Sequence, residues 1–368
     1  MAYRTHDQAL SALREALPEM KNGAPNHAPM VVEALAAMGR EHAVPQWIER
    51  IRPRLAETPG GNARPILDRE PALGDADRIA DWHDLFRREL ETSAWQEVLE
   101  RWLPRLIPGS MAAGTHGIIR CGHACRALAD QATSLRRDEL AAALAYCASR
   151  YRKINGTPLL AGPLGLEQAA RELPILPAAI ERHGPPPKVI RHLDELDGFA
   201  WAVSRMAPPA DPFSALGELA EIGARLYLQE ASRHPLVLLH AVTGPAAVQL
   251  LVVHASPALR ATAFAYMWQA VAAWTSAFSR GLSDRSPGKT DQPCDESWDK
   301  SWDELIDLSV DSGDDHAIKL TEACLRLERL RSSTVFRAAA SDWVHRVIGS
   351  RGSPAERLVA AGIRTRMS

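Results

Sequence analysis

The chain has 368 residues, a hydrophobic fraction of 46% and a formal net charge of −2, which is the composition of a folded globular protein. The small net charge and the lack of a long basic run argue against nucleic acid as a partner. The longest candidate for a membrane span, residues 236–255, is interrupted by His240, Pro245 and other residues that break its apolar character. Because a span needs about 18 apolar residues, we expect no membrane segment.

The cysteines and the first residues of the chain indicate the cellular compartment. Residues 1–6 lack the charged-then-apolar order of a signal peptide. The five cysteines are odd in number, and although Cys121 and Cys125 lie one helical turn apart, no second pair completes a zinc site. We therefore expect buried free thiols in a reducing cytoplasm.

Helical periodicity dominates the chain. It predicts helices at residues 30–38, 82–103, 137–151 and 262–278, the last of them apolar nearly all round and therefore central and buried. Alternating runs typical of strands are almost absent. The sequence predicts a mainly α protein, a helical bundle or array that forms a single domain over residues 1–368.

Pro/Gly-rich stretches separate the predicted helices. They cover residues 52–74, 154–165, 183–187 and 281–297. Connections longer than about 12–15 residues are commonly functional or disordered. The first and the last stretch are therefore candidate lids, with flexible surface loops as the alternative.

Four histidines stand in separate helical contexts with apolar or small neighbours: His27, His116, His240 and His316. Such neighbours predict that each imidazole is buried, and a buried imidazole needs a polar partner. One interpretation is a shared metal ion, because neutral imidazole is a common ligand of iron, copper, nickel and zinc. The alternative is four separate core histidines, each bonded to a backbone carbonyl or a carboxylate.

Lys319 follows His316 by three residues, which places both on one helical face. The apolar segment around it predicts that Lys319 lies in or beside the core, where the pKa of a lysine falls. A neutral amine can react with carbon dioxide to give a carbamate, which is an oxygen ligand. Lys319 is therefore either linked to a metal or a snorkelling side chain with its amine in solvent.

Other residues near the histidines suggest local roles. Arg120 is either a clamp for an anion or a carbonyl or one half of a structural salt bridge. Pro245 predicts a kink or break after His240, since proline lacks an N–H and disfavours helical geometry in the residue before it. Asn26 is a candidate cap of a helix that begins near residue 28. No Gly-x-Gly-x-x-Gly, Gly-x-Ser-x-Gly, P-loop or His-Glu-x-x-His motif occurs, so a Rossmann nucleotide domain is not expected.

Taken together, the ordered segments 26–30, 116–120, 240–244 and 315–319 resemble the questin oxidase-like family. The resemblance extends over roughly residues 20–330. Members of this family open rings of anthraquinones and related aromatic polyketides, and some of them resemble dioxygenases with a mononuclear non-haem iron. The resemblance implies an Fe(II)-dependent oxygenase that uses O2 on a small aromatic substrate.

The same resemblance implies roles for individual residues. It makes His27, His116, His240 and His316 the iron ligands and Lys319 a carbamylated ligand. We expect Lys319 and Arg120 to take part in catalysis. The expected substrate-binding residues are Thr243, Tyr266, Trp268 and Trp274.

Two alternatives remain open at this stage. The first is a metal-independent Baeyer–Villiger oxidase that consumes NADPH and uses the histidines as acids and bases; NADPH could also serve the iron enzyme as a diffusible reductant. The second is a non-enzymatic helical binding protein with structural histidines. The sequence leaves the oligomeric state open.

Overall fold

A computed structural model of the chain describes residues 6–57, 63–182, 184–283 and 300–349. The α-helices of these residues, in chain order, are α1 (His6–Leu13), α2 (Ala28–Ala37), α3 (Val44–Ile51), α4 (Ile79–Thr92), α5 (Trp95–Leu106), α6 (His116–Asp130), α7 (Ser134–Ser149), α8 (Leu166–Arg171), α9 (Pro186–Ile190), α10 (Phe199–Ser204), α11 (Pro212–Glu230), α12 (Pro235–Leu238), α13 (His240–Val252), α14 (Pro257–Phe278), α15 (Trp302–Ser312), α16 (Asp315–Arg331) and α17 (Val335–Gly349). The strands are β1 (Ala16–Met20) and β2 (Leu55–Glu57), which pair antiparallel with Ala16 opposite Glu57 and Met20 opposite Leu55. The predicted mainly α fold is confirmed.

Three of the four predicted helices correspond to single helices. Residues 30–38 match α2, residues 137–151 match α7 and residues 262–278 match α14. The last is buried along much of its length, as its apolar composition predicts; Phe264, Trp268 and Trp274 are among its fully buried side chains.

The prediction of one helix over residues 82–103 is wrong. The helix ends at Ser93, whose backbone is extended, and α5 starts after Ala94, which is also extended. The chain reverses its direction between α4 and α5, and this brings Trp102 against Trp82 and Phe86. The centroid of the Trp102 ring lies 5.7 Å from that of Trp82 and 4.9 Å from that of Phe86. In one straight helix, Trp82 and Trp102 would lie about 30 Å apart. Aromatic packing therefore outweighs helix continuity at this point.

The described chain divides into two compact units. Unit 1 comprises Met1–Lys153 and Ala247–Ala263, and unit 2 comprises Ile154–Ala246 and Phe264–Ser368. The chain passes from unit 2 into unit 1 within α13 and returns within α14. The expectation of a single domain stays a prediction.

In unit 1, α7 packs against both α4 and α6, and α2 packs against α6. The contact face of α7 carries small and aliphatic side chains such as Leu140, Ala141 and Leu144, all fully buried, so neighbouring helices can approach closely. In unit 2, α11, α16 and α17 pack on one another, and α15 packs on the last two. Their buried side chains include Leu219 and Phe336.

The predicted loops and cysteines have mixed outcomes. Residues 55–57 of the first loop form β2, whereas 58–62 lie outside the described residues, as do 183 and most of the last predicted lid, 284–297. The short helix α9 begins inside the third stretch. Four of the five cysteines, namely Cys121, Cys125, Cys147 and Cys324, are buried free thiols, as expected; Cys294 lies outside the described residues.

One apolar stretch, Pro235–Val252, has the length and composition of a membrane-crossing helix. Of this stretch, 83% is buried inside the protein, which is also how a core helix looks. The expected absence of a membrane segment stays a prediction.

Candidate metal centre

Unit 1 brings His27 and His116 together. The N-cap residue of α2 is His27, which makes no side-chain capping bond, and Asn26 lies one residue before it. The Asn26 Oδ1 accepts the backbone N–H of Ala28 at 2.9 Å, so Asn26 holds the start of α2 without occupying the predicted cap position. His116 is the first residue of α6. The two rings are buried and stacked, with centroids 4.7 Å apart and planes 10° from parallel. Two imidazoles at this separation are near enough to serve one ion.

A turn of left-handed backbone holds His116. Ala113 and Thr115 have φ values of 48° and 75°, and Gly114 between them has 65°. Non-glycine residues in this region cost of order 1–3 kcal/mol each and tend to occur at functional sites. The turn brings the Ala113 carbonyl to 2.7 Å from Nδ1 of His116. Because a carbonyl only accepts, Nδ1 carries the hydrogen.

Unit 2 brings His240 and His316 together. Their ring centroids lie 5.7 Å apart with an interplanar angle of 77°. His240 is the first residue of α13, and its Nδ1 donates to the Val237 carbonyl at 3.1 Å. The indole of Trp274 lies beside His240, with ring centroids 6.2 Å apart.

Two aspartates and a tryptophan hold His316. Asp314 caps α16 by accepting the N–H of Ala317 at 2.8 Å, and it also accepts the indole N–H of Trp343 at 3.0 Å. The Trp343 ring packs edge-on to His316, 6.1 Å between centroids. The Asp315 Oδ1 lies 3.0 Å from Nδ1 of His316. Sequence reasoning missed Asp315, although an aspartate directly before a candidate ligand was a visible signal.

The aspartates add local negative charge to this site. Burial raises the pKa of Asp314, and the neighbouring Asp315 raises it further, while His316 and hydrogen bonds oppose the change. Metal-binding atoms of Asp314, Asp315 and His316 all lie within 4.8 Å of one another. Unit 2 thus contains a group of histidine and carboxylate side chains of the kind that holds a metal ion.

Three of the four histidines share one hydrogen-bonding pattern. His116 and His240 donate from Nδ1 to a backbone carbonyl, and the Nδ1 of His316 faces a carboxylate. Each partner fixes the tautomer with hydrogen on Nδ1, so Nε2 is the nitrogen whose lone pair can bind a metal. Metal-ligating histidines characteristically use their second nitrogen in this way.

Lys319 lies in the core, with 4% of its surface exposed. The snorkelling alternative is therefore wrong. Burial lowers the pKa of Lys319 to about 8, against the opposing effect of Asp315 and Asp314. A minor fraction of the amine, roughly a tenth, is accordingly neutral at pH 7.

Arg120 forms a bidentate ion pair with Glu139 of α7. Its Nε and Nη2 donate to the two carboxylate oxygens at 2.6 Å and 2.7 Å. Burial works to lower the pKa of Arg120, but Glu139 outweighs it and the net change is upward. This is the structural salt bridge that the sequence left as an alternative. A catalytic role for Arg120 stays a prediction, with two of its three nitrogens already in use.

The four predicted substrate-binding residues have different surroundings. Trp268 uses its indole N–H on the Val203 carbonyl, and the Thr243 hydroxyl donates to the Leu239 carbonyl. Tyr266 is half-buried. Trp274 is 1% exposed, and its Nε1 donates to no acceptor among the described residues. Trp274 is therefore the member of this set with an unused donor beside a candidate ligand.

Of the kink or break predicted after His240, the break is wrong, because α13 continues through Pro245 to Val252; the kink stays a prediction. Proline has no N–H to donate to the carbonyl four residues earlier, that of Ala241. Gly223 of α11 packs against this same carbonyl; a Cβ on Gly223 would lie 2.1 Å from the Ala241 oxygen. The position of the first turn of α13, and with it His240, thus depends on a glycine that the sequence analysis did not identify.

The comparisons with known proteins bear on the family of the chain. A search of curated proteins found no match. The family described as questin oxidase-like matches residues 25–324, most of the chain, and this range contains all four histidines and Lys319. The family indicates an oxidoreductase of the oxidase or oxygenase type, which is compatible with a metal cofactor. The chain belongs to the questin oxidase-like family.

Proposed function

We propose that this protein is a non-haem Fe(II)-dependent oxygenase that incorporates O2 into a small aromatic, quinone-like substrate with ring cleavage. The proposed ligands of a single iron ion are His27, His116, His240, His316 and a carbamylated Lys319. The proposal refines the oxidoreductase activity that the family indicates.

The observation that carries the proposal is the shared state of the histidine rings. Nδ1 of His116, His240 and His316 is held by an oxygen acceptor in each case. One such hydrogen bond is enough to stabilise a buried histidine whose only role is to fill the core. Three in the same tautomer, arranged as members of two close pairs, favour ligation through Nε2.

The donor set also suits iron by its charge. Imidazole binds Fe(II) well, and a carbamate would add one negative charge to four neutral ligands, which favours oxidised states of the metal. Lys319 is buried and partly neutral near physiological pH, so its amine can react with CO2 and release a proton. Bound iron would supply the redox chemistry that allows O2 to react with an organic molecule.

The chain's own residues would orient the substrate and exclude water. Trp274 offers an indole N–H beside His240 with no acceptor among the described residues. A buried donor without a partner costs about 1–3 kcal/mol, and a carbonyl or phenol oxygen of the substrate would satisfy it. Apolar side chains around α14 would keep the reacting ring dry.

Iron stoichiometry tests the ligand set. We expect the metal-free protein, reconstituted with Fe(II) without oxygen and desalted, to retain one iron per chain. Alanine at any one of the four histidines should remove most of this iron. His254→Ala and His345→Ala are matched controls and should retain it; Nδ1 of His345 also lies 2.7 Å from a backbone carbonyl, that of Ser341.

Two outcomes would contradict a shared ion. Two irons per chain, or a His27→Ala variant that keeps the iron held by unit 2, would mean that the two pairs bind separately. No iron in any preparation would contradict the metal centre altogether.

The reaction is tested with hydroxyanthraquinones and their hydroquinone forms under ¹⁸O2. We expect both oxygen atoms in the product, no requirement for NADPH, and loss of turnover after chelation. One labelled atom in the product, with one NADPH consumed and undiminished turnover in metal-free protein, would instead support the Baeyer–Villiger alternative. A lack of O2 consumption with every compound of this class would count against the proposed substrate class.

A further inference from the structure

Unit 1 contains a cavity of about 290 Å³. It lies between α1, α4, α6 and α7, with residues 16–18 of β1 forming part of the wall, and none of the four candidate histidines lines it. Sites for small molecules usually measure about 300–1,000 Å³. The cavity therefore has the size of a site for a ligand smaller than a drug-like molecule.

The inner end of the cavity carries a buried polar group. Arg120 is 4% exposed and lines the cavity. Its Nε and Nη2 are used by Glu139, and Nη1 makes no hydrogen bond to the described part of the chain. Nη1 is thus a donor that a molecule in the cavity could use.

The walls beside Arg120 are apolar. Leu10 and Leu13 of α1, each 5% exposed, and the fully buried Ala145 of α7 face the same space. Leu17 of β1 completes this part of the lining. An apolar body would be desolvated here at a gain of about 25 cal/mol for each Å² of its surface.

Charges around the cavity balance. Three arginines and three carboxylates line it: Arg14, Arg87, Arg120, Asp84, Asp138 and Glu139. At the more exposed end, the His83 Nε2 donates to Asp138 at 3.1 Å, and Arg14 lies 3.5 Å from the other oxygen. Burial alone would raise the pKa of Asp138, but His83 and Arg14 outweigh it and keep this carboxylate ionised.

We propose that this cavity is a second ligand site, for a small uncharged molecule with an apolar body and one carbonyl or hydroxyl oxygen. The oxygen accepts from Nη1 of Arg120, and the apolar body contacts the leucines of α1 and β1. A carboxylate is disfavoured because Glu139 already neutralises the guanidinium at the inner end. The site contains none of the proposed iron ligands and goes beyond the proposed oxygenase activity. It gives Arg120 a ligand-binding role in place of the catalytic role that the resemblance implies.

Three ring-matched probes test the site by calorimetric titration of the full chain: 1-indanone, indane and indane-1-carboxylate. We expect 1-indanone to bind. Indane, which lacks the acceptor, should bind about three- to tenfold more weakly, as expected for one net hydrogen bond. The carboxylate should bind at least about tenfold more weakly, since it would place an unpaired charge in a balanced site.

Two variants locate the binding. Ala142→Phe fills the cavity from α7 without removing a polar group and should abolish 1-indanone binding. Glu139→Gln leaves the guanidinium without its counter-charge, so the preference should reverse and the carboxylate should bind more tightly than the ketone. Thermal unfolding of each variant establishes that it is folded.

The proposal is wrong if 1-indanone does not bind the unmodified chain, or if it binds Ala142→Phe equally well. It is also wrong if indane and 1-indanone bind with equal affinity, because Arg120 would then have no role. Should Glu139→Gln fail to fold, the Ala142→Phe comparison and the probe series still decide the matter.

Discussion

Gly223→Ala tests how the fold positions His240. A Cβ at residue 223 would lie 2.1 Å from the oxygen and 2.5 Å from the carbon of Ala241. These are backbone atoms, so no side-chain rotation relieves the clash. Ordinary contact begins at 3.4 Å, and the first turn of α13 must therefore move by about 1 Å away from α11.

Two opposing effects set the change in stability. Replacing glycine by alanine inside a helix stabilises by about 1 kcal/mol. Overpacking a core contact costs about 1–3 kcal/mol. We expect the second effect to be larger, with a net loss of up to about 2 kcal/mol in the free energy of unfolding.

Gly223→Ala should also weaken metal binding. Metal ligands tolerate displacements of only about 0.2 Å, and a misplacement of about 1 Å can cost 100-fold in function. His240 directly precedes Ala241, so it moves with the displaced carbonyl. We expect Fe(II) affinity to fall at least tenfold while the chain remains folded at 25 °C.

The measurement is anaerobic Fe(II) titration together with thermal unfolding. Gly349→Ala is the matched control, because Gly349 lies in the last turn of α17 and a Cβ there meets nothing within 4 Å. The control should leave iron binding unchanged. If Gly223→Ala binds iron as tightly as the unmodified chain, the contact between α11 and Ala241 does not determine the position of His240.

Three further predictions concern other parts of the molecule. Lys319→Arg keeps the positive charge but cannot form a carbamate. The ¹³C NMR signal of the carbamate, expected after incubation with labelled bicarbonate, should therefore vanish along with turnover, whereas Lys319→Glu should recover part of the turnover. Full activity in Lys319→Ala would refute the ligand role. Asp315→Ala removes the partner of the His316 Nδ1, so iron affinity should fall about 10- to 100-fold. Asp315→Asn should lower the iron affinity less, because its side-chain oxygen still accepts a hydrogen bond. Equal losses of affinity in the two variants would show that Asp315 does not orient the ring. Glu33 is buried with Arg126 and His123. Burial would raise the pKa of Glu33, but these partners outweigh it, so the pKa in the folded protein is below the usual value. The contribution of the Glu33 carboxylate to the free energy of unfolding is therefore present above its pKa in the unfolded chain, about 4.3, and is lost as the pH falls through its lower pKa in the folded chain. Glu33→Gln should therefore cost about 3 kcal/mol at pH 7 in urea unfolding and progressively less below pH 4; a cost that grows on acidification would contradict this sign.

The sequence by itself determined the class of fold and the identity of the candidate ligands. Apolar residues at helical spacing are a local property, and they gave α2, α7 and α14 close to their observed bounds. The apolar neighbours of Lys319 placed it in or beside the core for the same reason, and the structure shows that it is buried. Four short segments in order were enough to identify the family.

Tertiary structure decided the features that depend on residues distant in the chain. Periodicity cannot distinguish one long helix from two antiparallel ones, so the turn at Ser93 became visible only through the packing of Trp102 on Trp82. The partner of Arg120 is Glu139, 19 residues away on α7, and no spacing rule predicts that contact. A proline in a helix signals a break locally, yet α13 continues through Pro245. Its first turn lies against Gly223, a residue in another helix, because only a residue without a side chain allows the two backbones to approach so closely.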